Sequence, residues 1–257
     1  MKEYQLSPEA LVMTTGSSVG TQRKYYDNGF WYKQNQLGYE GYVEYLASNV
    51  LKCSNVKDFV VYEECRINGR NGCRSENFLG VDEAFISFQR LYEMYYGLEL
   101  NDSIRTIPET KDRITYTLDF IREVTGVDCS RYISQILSLD MLILNTDRHM
   151  HNLGLIVNRK EKAYRPAPIF DNGNSLLSDF DRFDSESLEE NIDSVVGQPF
   201  SASLEMQAEA AGIGLQLDYK KLQDFLEKEP DVRAVKVLKY QLKRYSHIIP
   251  DKNTVSQ

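Results

Sequence analysis

Two short stretches of this chain carry the side chains best suited to chemistry, Asn145-Thr-Asp-Arg-His-Met-His-Asn152 and Ile169-Phe-Asp-Asn-Gly173. Asp147 and Asn152 in the first and Asp171 in the second are hard-oxygen donors. Such a set fits phosphoryl transfer, where the protein contributes position and charge neutralisation more than covalent chemistry. One carboxylate must sit beside an incoming hydroxyl to orient it and take its proton. A second carboxylate and an amide oxygen must hold Mg²⁺ against the phosphates of ATP, since Mg²⁺ prefers oxygen ligands. Asp147 is then the candidate catalytic base, and Asn152 with Asp171 the candidate metal pair.

Asp147 and Asn152 stand five residues apart on a loop expected to leave a helix and enter a strand. That offset separates catalytic Asp from metal-binding Asn in kinase-type catalytic loops. Leu153–Val157 and Pro168–Phe170 read as two short strands joined by Asn158-Arg-Lys-Glu-Lys162. Asp171 would end the second strand, and pairing of the two would return it to Asn152. Taken singly, each of these residues is an ordinary turn or strand-end residue. Their order and spacing favour one cleft. His149 and His151 are two apart with no further His or Cys nearby, so a metal role is disfavoured. His149 is expected to bracket the loop and His151 to be exposed.

A second constellation lies upstream. Lys33 ends the aromatic strand Gly29-Phe-Trp-Tyr-Lys33, and Glu40 begins the helix that follows. A kinase-type site holds a strand lysine on the nucleotide phosphates through a helix glutamate; Glu40 is the expected partner and Glu44, one turn later, the alternate. Gly16-Ser-Ser-Val-Gly20 sits where a phosphate-covering loop belongs, because glycines let backbone N–H groups approach phosphate oxygens. Gly16, Ser17, Ser18 and Gly20 are therefore candidate nucleotide contacts. No Gly-Lys-Ser/Thr ends the turn, so it is not a Walker A loop.

These residues need a scaffold of two kinds. The first third reads as β-rich with one helix over 39–51, and Asn68-Gly-Arg-Asn-Gly72 as a hairpin turn. From about residue 83 the helical period dominates: Phe85, Phe88 and Leu91 begin one helix, Ile114–Val124 a second, and Tyr132, Ile136, Leu139 and Ile143 a third. Leu204–Ala211, Tyr219–Lys228 and Val232–Ser246 complete the set. The expectation is an α+β, two-lobed, protein-kinase-like fold. Residues 1–82 would form a β-rich N-lobe, and 83–257 a mainly helical C-lobe with the catalytic loop and metal-binding hairpin.

Composition excludes several classes. With 257 residues and 42% hydrophobic content the chain can bury a core without staples. The net charge of −8 disfavours direct nucleic-acid binding, which draws on phosphate neutralisation. The acidic run 179–190 reads as a solvated loop and helix start. No apolar stretch reaches the ~18–20 residues a membrane span needs, and the N-terminus lacks a secretory pattern. Cys53, Cys65, Cys73 and Cys129 lack C-x-x-C spacing, which points to reduced thiols in a cytoplasmic setting.

The chain resembles the HipA-like kinases, bacterial serine/threonine kinases best known as toxins of toxin–antitoxin pairs. Their catalytic loop has the form D-R-H-x-x-N-x-G-L, which Asp147-Arg-His-Met-His-Asn-Leu-Gly-Leu155 fits throughout. Their G-x-Q-x-K element matches Gly20-Thr-Gln-Arg-Lys24, their metal-binding Asp matches Ile169-Phe-Asp171, and their helix glutamate matches Glu40 in Tyr39-Glu-Gly-Tyr. The resemblance implies Asp147 as base, Asn152 and Asp171 on Mg²⁺, and Lys33 on the ATP phosphates. Ser17 matches the family's autophosphorylated serine, with Ser18 the neighbouring candidate; that modification expels the phosphate loop. The implied partners are a protein substrate, such as a translation factor or an aminoacyl-tRNA synthetase, and a small antitoxin. Longer members carry a further N-terminal subdomain that makes part of the antitoxin contacts, whereas fifteen residues precede Gly16 here. The resemblance therefore speaks more directly to the chemistry than to the antitoxin, and leaves toxin, regulator and secreted effector open. Phosphoinositide kinases also use a D-R-H-x-x-N loop, and small-molecule phosphotransferases share the architecture. A non-catalytic nucleotide-binding module is the remaining alternative.

Overall fold

The computed structural model of the protein describes residues 1–12 and 22–254. The glycine turn with Gly16, Ser17, Ser18 and Gly20 lies outside the described residues.

Among the described residues, five strands build the first sheet, in the order β1-β4-β5-β3-β2. They are β1 (Lys2–Tyr4), β2 (Lys24–Asp27), β3 (Phe30–Gln34), β4 (Tyr62–Ile67) and β5 (Arg70–Glu76). β1 runs parallel to β4, and the other pairs are antiparallel. Asn28-Gly29 and Asn68-Gly69 close the two hairpins, and all four residues take positive φ, as tight Asn-Gly hairpins require. Alternation along these strands divides the sheet into two faces. Tyr25, Tyr32, Cys65 and Ile67 fill a small core with Tyr4, Leu6 and Leu11 on one side. Lys33, Cys73 and Glu64 stand in register across the other side.

Helix α1 (Glu40–Lys52) packs on that second side. Its approach is set by backbone: a Cβ on Gly41 would come within 2.5 Å of the Gly72 carbonyl carbon on β5. The apolar face of α1, with Val43, Leu46, Ala47 and Val50, belongs to the same core as the helical lobe. α1 therefore joins the lobes instead of riding on the sheet alone.

The second lobe begins with β6 (Glu83–Ser87) and α2 (Phe88–Tyr96), then α3 (Leu100–Arg105), α4 (Thr110–Thr125) and α5 (Ser130–Ile143). α5 is buried along most of its length and centres the lobe. After it come β7 (Gly154–Asn158) and β8 (Ala163–Pro166), and then α6 (Leu188–Asp193), α7 (Leu204–Ala211), α8 (Tyr219–Leu226) and α9 (Arg233–Tyr245). The chain is thus α+β and two-lobed. The cysteines are free and buried, and no helix among the described residues is long and apolar enough to cross a membrane.

Two local expectations need correction. Phe85 lies in a strand and not in a helix: β6 pairs antiparallel with β7, making a three-stranded sheet β6-β7-β8 where a simple hairpin was expected. Phe85 and Phe88 imitate a helical spacing only because a strand meets a helix between them. Ser87 marks the boundary, its side chain accepting a hydrogen bond from the Arg90 N–H as an N-cap does. Asp171 also does not end a strand. β8 stops at Pro166, and Ile169 instead forms a parallel bridge with Phe59, anchoring the approach to Asp171 on the first lobe.

Candidate active site

The catalytic-loop segment leaves α5 through Leu144, which takes a left-handed conformation (φ 56°). Asn145 then organises the turn. Its amide nitrogen donates to Asp140 Oδ1 at 2.9 Å, and its oxygen accepts from the Asp147 N–H at 2.9 Å. Arg148, fully buried, points inward. Its guanidinium meets both oxygens of Asp140 (Nε to Oδ2 2.9 Å, Nη2 to Oδ1 3.0 Å), a geometry suited to a planar fork. The same group donates to the Phe170 carbonyl at 2.8 Å and to Asn172 Oδ1 at 2.7 Å. One side chain thus ties α5, the catalytic loop and both neighbours of Asp171 together. Burial works against the charge of Arg148, but the Asp140 carboxylate outweighs it and keeps the guanidinium protonated.

The 170–176 segment is stitched to the loop at further points. Thr146 N–H donates to the Asn174 carbonyl at 3.0 Å, Leu176 N–H to the Ile143 carbonyl at 2.7 Å, and Asn174 Nδ2 to Asp147 Oδ2 at 2.9 Å. Asp147 Oδ1 faces Gln198 Nε2 at 3.5 Å and His149 Nε2 at 4.0 Å. Asn152 is buried, and its amide nitrogen donates to the Asp147 carbonyl at 3.1 Å. That bond engages the amide nitrogen and not the amide oxygen, which is the atom a cation would need. The two sequence segments singled out by chemistry therefore meet in one place.

The first lobe completes the cleft. Lys33, buried on β3, reaches Glu44 Oε1 at 2.7 Å and Asp171 Oδ1 at 2.5 Å. Glu44 Oε2 accepts from the Asn172 N–H at 2.9 Å, so this carboxylate contacts both lobes. Lys24, opposite Lys33 in the β2–β3 register, places its ammonium 4.0 Å from Asp171 Oδ2. Burial opposes the Lys33 charge, yet Asp171 and then Glu44 hold its pKa well above the ordinary lysine value. Burial would raise the Asp171 carboxyl; Lys33 and then Lys24 overcome it and hold the group well below the usual carboxylate range. Burial pushes the His149 pKa down, keeping the ring neutral.

Glu40 is not the partner of Lys33. Its carboxylate accepts from the backbone N–H groups of Gln36, Leu37 and Gly38, at 3.1, 2.6 and 3.1 Å. It is consumed in closing the β3–α1 turn, and Glu44, on the same helix face one turn on, takes the lysine. His151 is half-buried and not exposed, its ring 5.6 Å from that of His149. The His149 side chain does not bracket the loop by hydrogen bonding, since Nδ1 is buried without a partner among the described residues.

Asp140, Asn174 and Gln198 escaped the reading of motifs, and so did the buried bracing role of Arg148 within its motif. For Asp140 a signal exists: it is a lone carboxylate within the apolar run Ile136–Leu144, and a buried charge demands a partner.

The donor set fits Mg²⁺. Asp171 and Asn152 offer hard oxygens, and an ion that retains waters and takes phosphate oxygens needs few protein ligands. Among the described residues no group of three or more His, Cys, Asp or Glu is arranged to hold a metal by itself. Phosphate oxygens would have to complete such a site.

No family model matches the chain, and no curated protein sequence matches it. Among solved structures it is similar to the Helicobacter pylori proinflammatory kinase CtkA, with a TM-score of 0.65 and 16% identity over 89% of this chain and 90% of that one. The fold is that of a two-lobed kinase. A chain of the Shewanella oneidensis MR-1 HipA, HipB and operator DNA complex also aligns, at TM-score 0.39 and 11% identity, covering 98% of this chain and 62% of that one.

Two measurements check this geometry. Arg148→Met removes the cation that offsets the burial of Asp140 and leaves that carboxyl only its bond from Asn145, and denaturant unfolding is expected to show a loss of about 3–5 kcal/mol. Asp171 has a depressed pKa in the folded state, so its contribution is present above the unfolded value and is lost as pH falls through the folded one. Asp171→Asn is therefore expected to flatten the pH dependence of unfolding free energy below about pH 4. An unchanged acid limb in that variant contradicts the Lys33–Asp171 contact.

Proposed function

We propose that the protein is an ATP- and Mg²⁺-dependent serine/threonine protein kinase of the HipA-like type. The observation that carries this reading is the meeting of Asp147, Asn152 and Asp171 beside Lys33 in the cleft of a kinase fold. The kinase activity named for the Helicobacter protein is carried over on the strength of these residues, since fold alone does not transfer function.

Asp147 serves as the base. Asn174 holds Oδ2 at 2.9 Å, whereas Oδ1 has the longer 3.5 Å contact from Gln198 and would receive the proton of an acceptor hydroxyl. As the hydroxyl oxygen bonds to the γ-phosphorus, the bond from that phosphorus to the β–γ bridging oxygen breaks, and ADP departs with the electron pair. Lys33 donates to the nucleotide phosphates, oriented by Glu44 in place of Glu40. Asn152 and Asp171 would hold Mg²⁺, which neutralises charge on the transferring group. Nucleotide phosphates would compete with Asp171 for the Lys33 ammonium, and Asp171 would then have carboxylate oxygen to offer the ion. Gly16, Ser17, Ser18 and Gly20 would cover the phosphates, with Ser17 and Ser18 as self-phosphorylation sites. The acceptor is a protein hydroxyl, and a small antitoxin partner belongs to the proposal through the loop motif alone.

The test is incubation with γ-labelled ATP and Mg²⁺, followed by mapping of phosphorylated residues on the chain and on proteins of a bacterial lysate. Label on serine or threonine is expected, falling at least ~100-fold in Asp147→Ala, with the melting temperature of that variant close to wild type because Asp147 is half-exposed. Label confined to inositol lipids or small molecules favours the other acceptors on this fold. ATP binding without transfer to any acceptor favours a non-catalytic module.

A further inference from the structure

The cleft-facing side of α1 carries Glu44. Its outer flank carries Tyr42 and Tyr45, three residues apart and therefore neighbours on the helix surface. Both hydroxyls donate to one carboxylate of the helical lobe. Tyr42 Oη lies 2.8 Å from Glu229 Oε2, and Tyr45 Oη 3.0 Å from Glu229 Oε1. Glu229 stands in the turn between α8 and α9, immediately before Pro230. The two tyrosine rings stack at 6.0 Å with planes 24° apart, and Tyr45 packs on Phe225 of α8 at 5.9 Å. Burial and then the bond to Glu229 push both phenols up, that of Tyr45 to about 12, so they remain donors at any working pH.

Besides its buried apolar face, three attachments fix α1. The Gly41–Gly72 approach sets its distance from the sheet at its first turn. Glu44 joins it to Lys33 and to the Asn172 N–H. The tyrosine pair on Glu229 ties the outer flank of α1 to the helical lobe and adds to its buried face in opposing a rotation that would swing Glu44 off the lysine. Hydrogen bonds to a charged acceptor are the stronger kind.

We infer that Glu229 is a positioning residue: by holding Tyr42 and Tyr45 it locks α1 from the helical lobe and keeps Glu44 on Lys33. The consequence for catalysis rests on the kinase reading above; the effect on α1 does not. The Lys33–Glu44 contact is preassembled from within the chain.

The test compares the full chain with Tyr42→Phe/Tyr45→Phe, which keeps the rings and removes both donors, with Glu229→Ala, and with the combined triple variant. Hydrogen exchange of α1 amides is expected to quicken about 10-fold in the double variant and in Glu229→Ala, with α5 unchanged. The triple variant is expected to add little, because the same contacts are already broken. The turnover number is expected to fall by a similar factor while KM for ATP moves much less. Glu229→Gln, which keeps one acceptor oxygen, should restore part of the protection. Unchanged α1 exchange, or equal acceleration of α1 and α5, overturns the inference. A wild-type chain that transfers no phosphate sinks the kinase reading, and the exchange comparison then still decides whether Glu229 holds α1.

Discussion

A buried guanidinium sets the geometry on which the rest of this structure depends. Arg148 makes four hydrogen bonds without touching solvent: two to Asp140 on α5, one to the Phe170 carbonyl and one to Asn172. A buried charge pair is weak evidence for net stability, since desolvation of both partners offsets much of their attraction. Its value here is spatial. Arg148 follows Asp147 in sequence, while Phe170 and Asn172 flank Asp171. Satisfying one guanidinium therefore brings the loop carboxylate and the second carboxylate to the same wall of the cleft. Asp171 takes φ 59°, an uncommon conformation for a non-glycine residue, and both of its neighbours are held while it does so.

The other wall depends on α1. Its apolar face is continuous with the core of the helical lobe, and its Glu44 carboxylate divides between Lys33 on the sheet and the Asn172 N–H. The lobes thus share a helix as well as a cleft. Lys24 and Lys33 face Asp171 from adjacent strands, and Lys33 also pairs with Glu44, so two cations meet two carboxylates. A nucleotide bound with its divalent ion would bring both a negative charge for the lysines and a cation for the carboxylates.

How much of this was legible in sequence follows from how local each feature is. The 145–152 loop could be singled out as a candidate because its donors lie within eight consecutive residues. The helices α1, α5 and α7 to α9 follow from apolar spacing, which burial on one face imposes. The lysine partner was ambiguous because Glu40 and Glu44 lie on the same helix face. What decides between them is the β3–α1 turn, whose three N–H groups claim Glu40. β6 was misread because its pairing partner, β7, lies some 70 residues away, and no local pattern distinguishes Phe85 in a strand from the first turn of α2. The strand before Asp171 was misplaced for a similar reason: Ile169 is fixed by Phe59 of the other lobe. Arg148 was read as part of a motif, but its partners on α5 and beside Asp171 emerge only in three dimensions.

The proposed kinase chemistry requires Asn152 and Asp171 to share a divalent ion with nucleotide phosphates. Calorimetric titration of ATP, with and without Mg²⁺, into wild type, Asn152→Ala and Asp171→Asn tests it most directly. The account predicts that Mg²⁺ strengthens ATP binding to wild type and that this gain disappears in both variants. ATP affinity that ignores Mg²⁺ in the wild type, or a gain that survives Asp171→Asn, would contradict it.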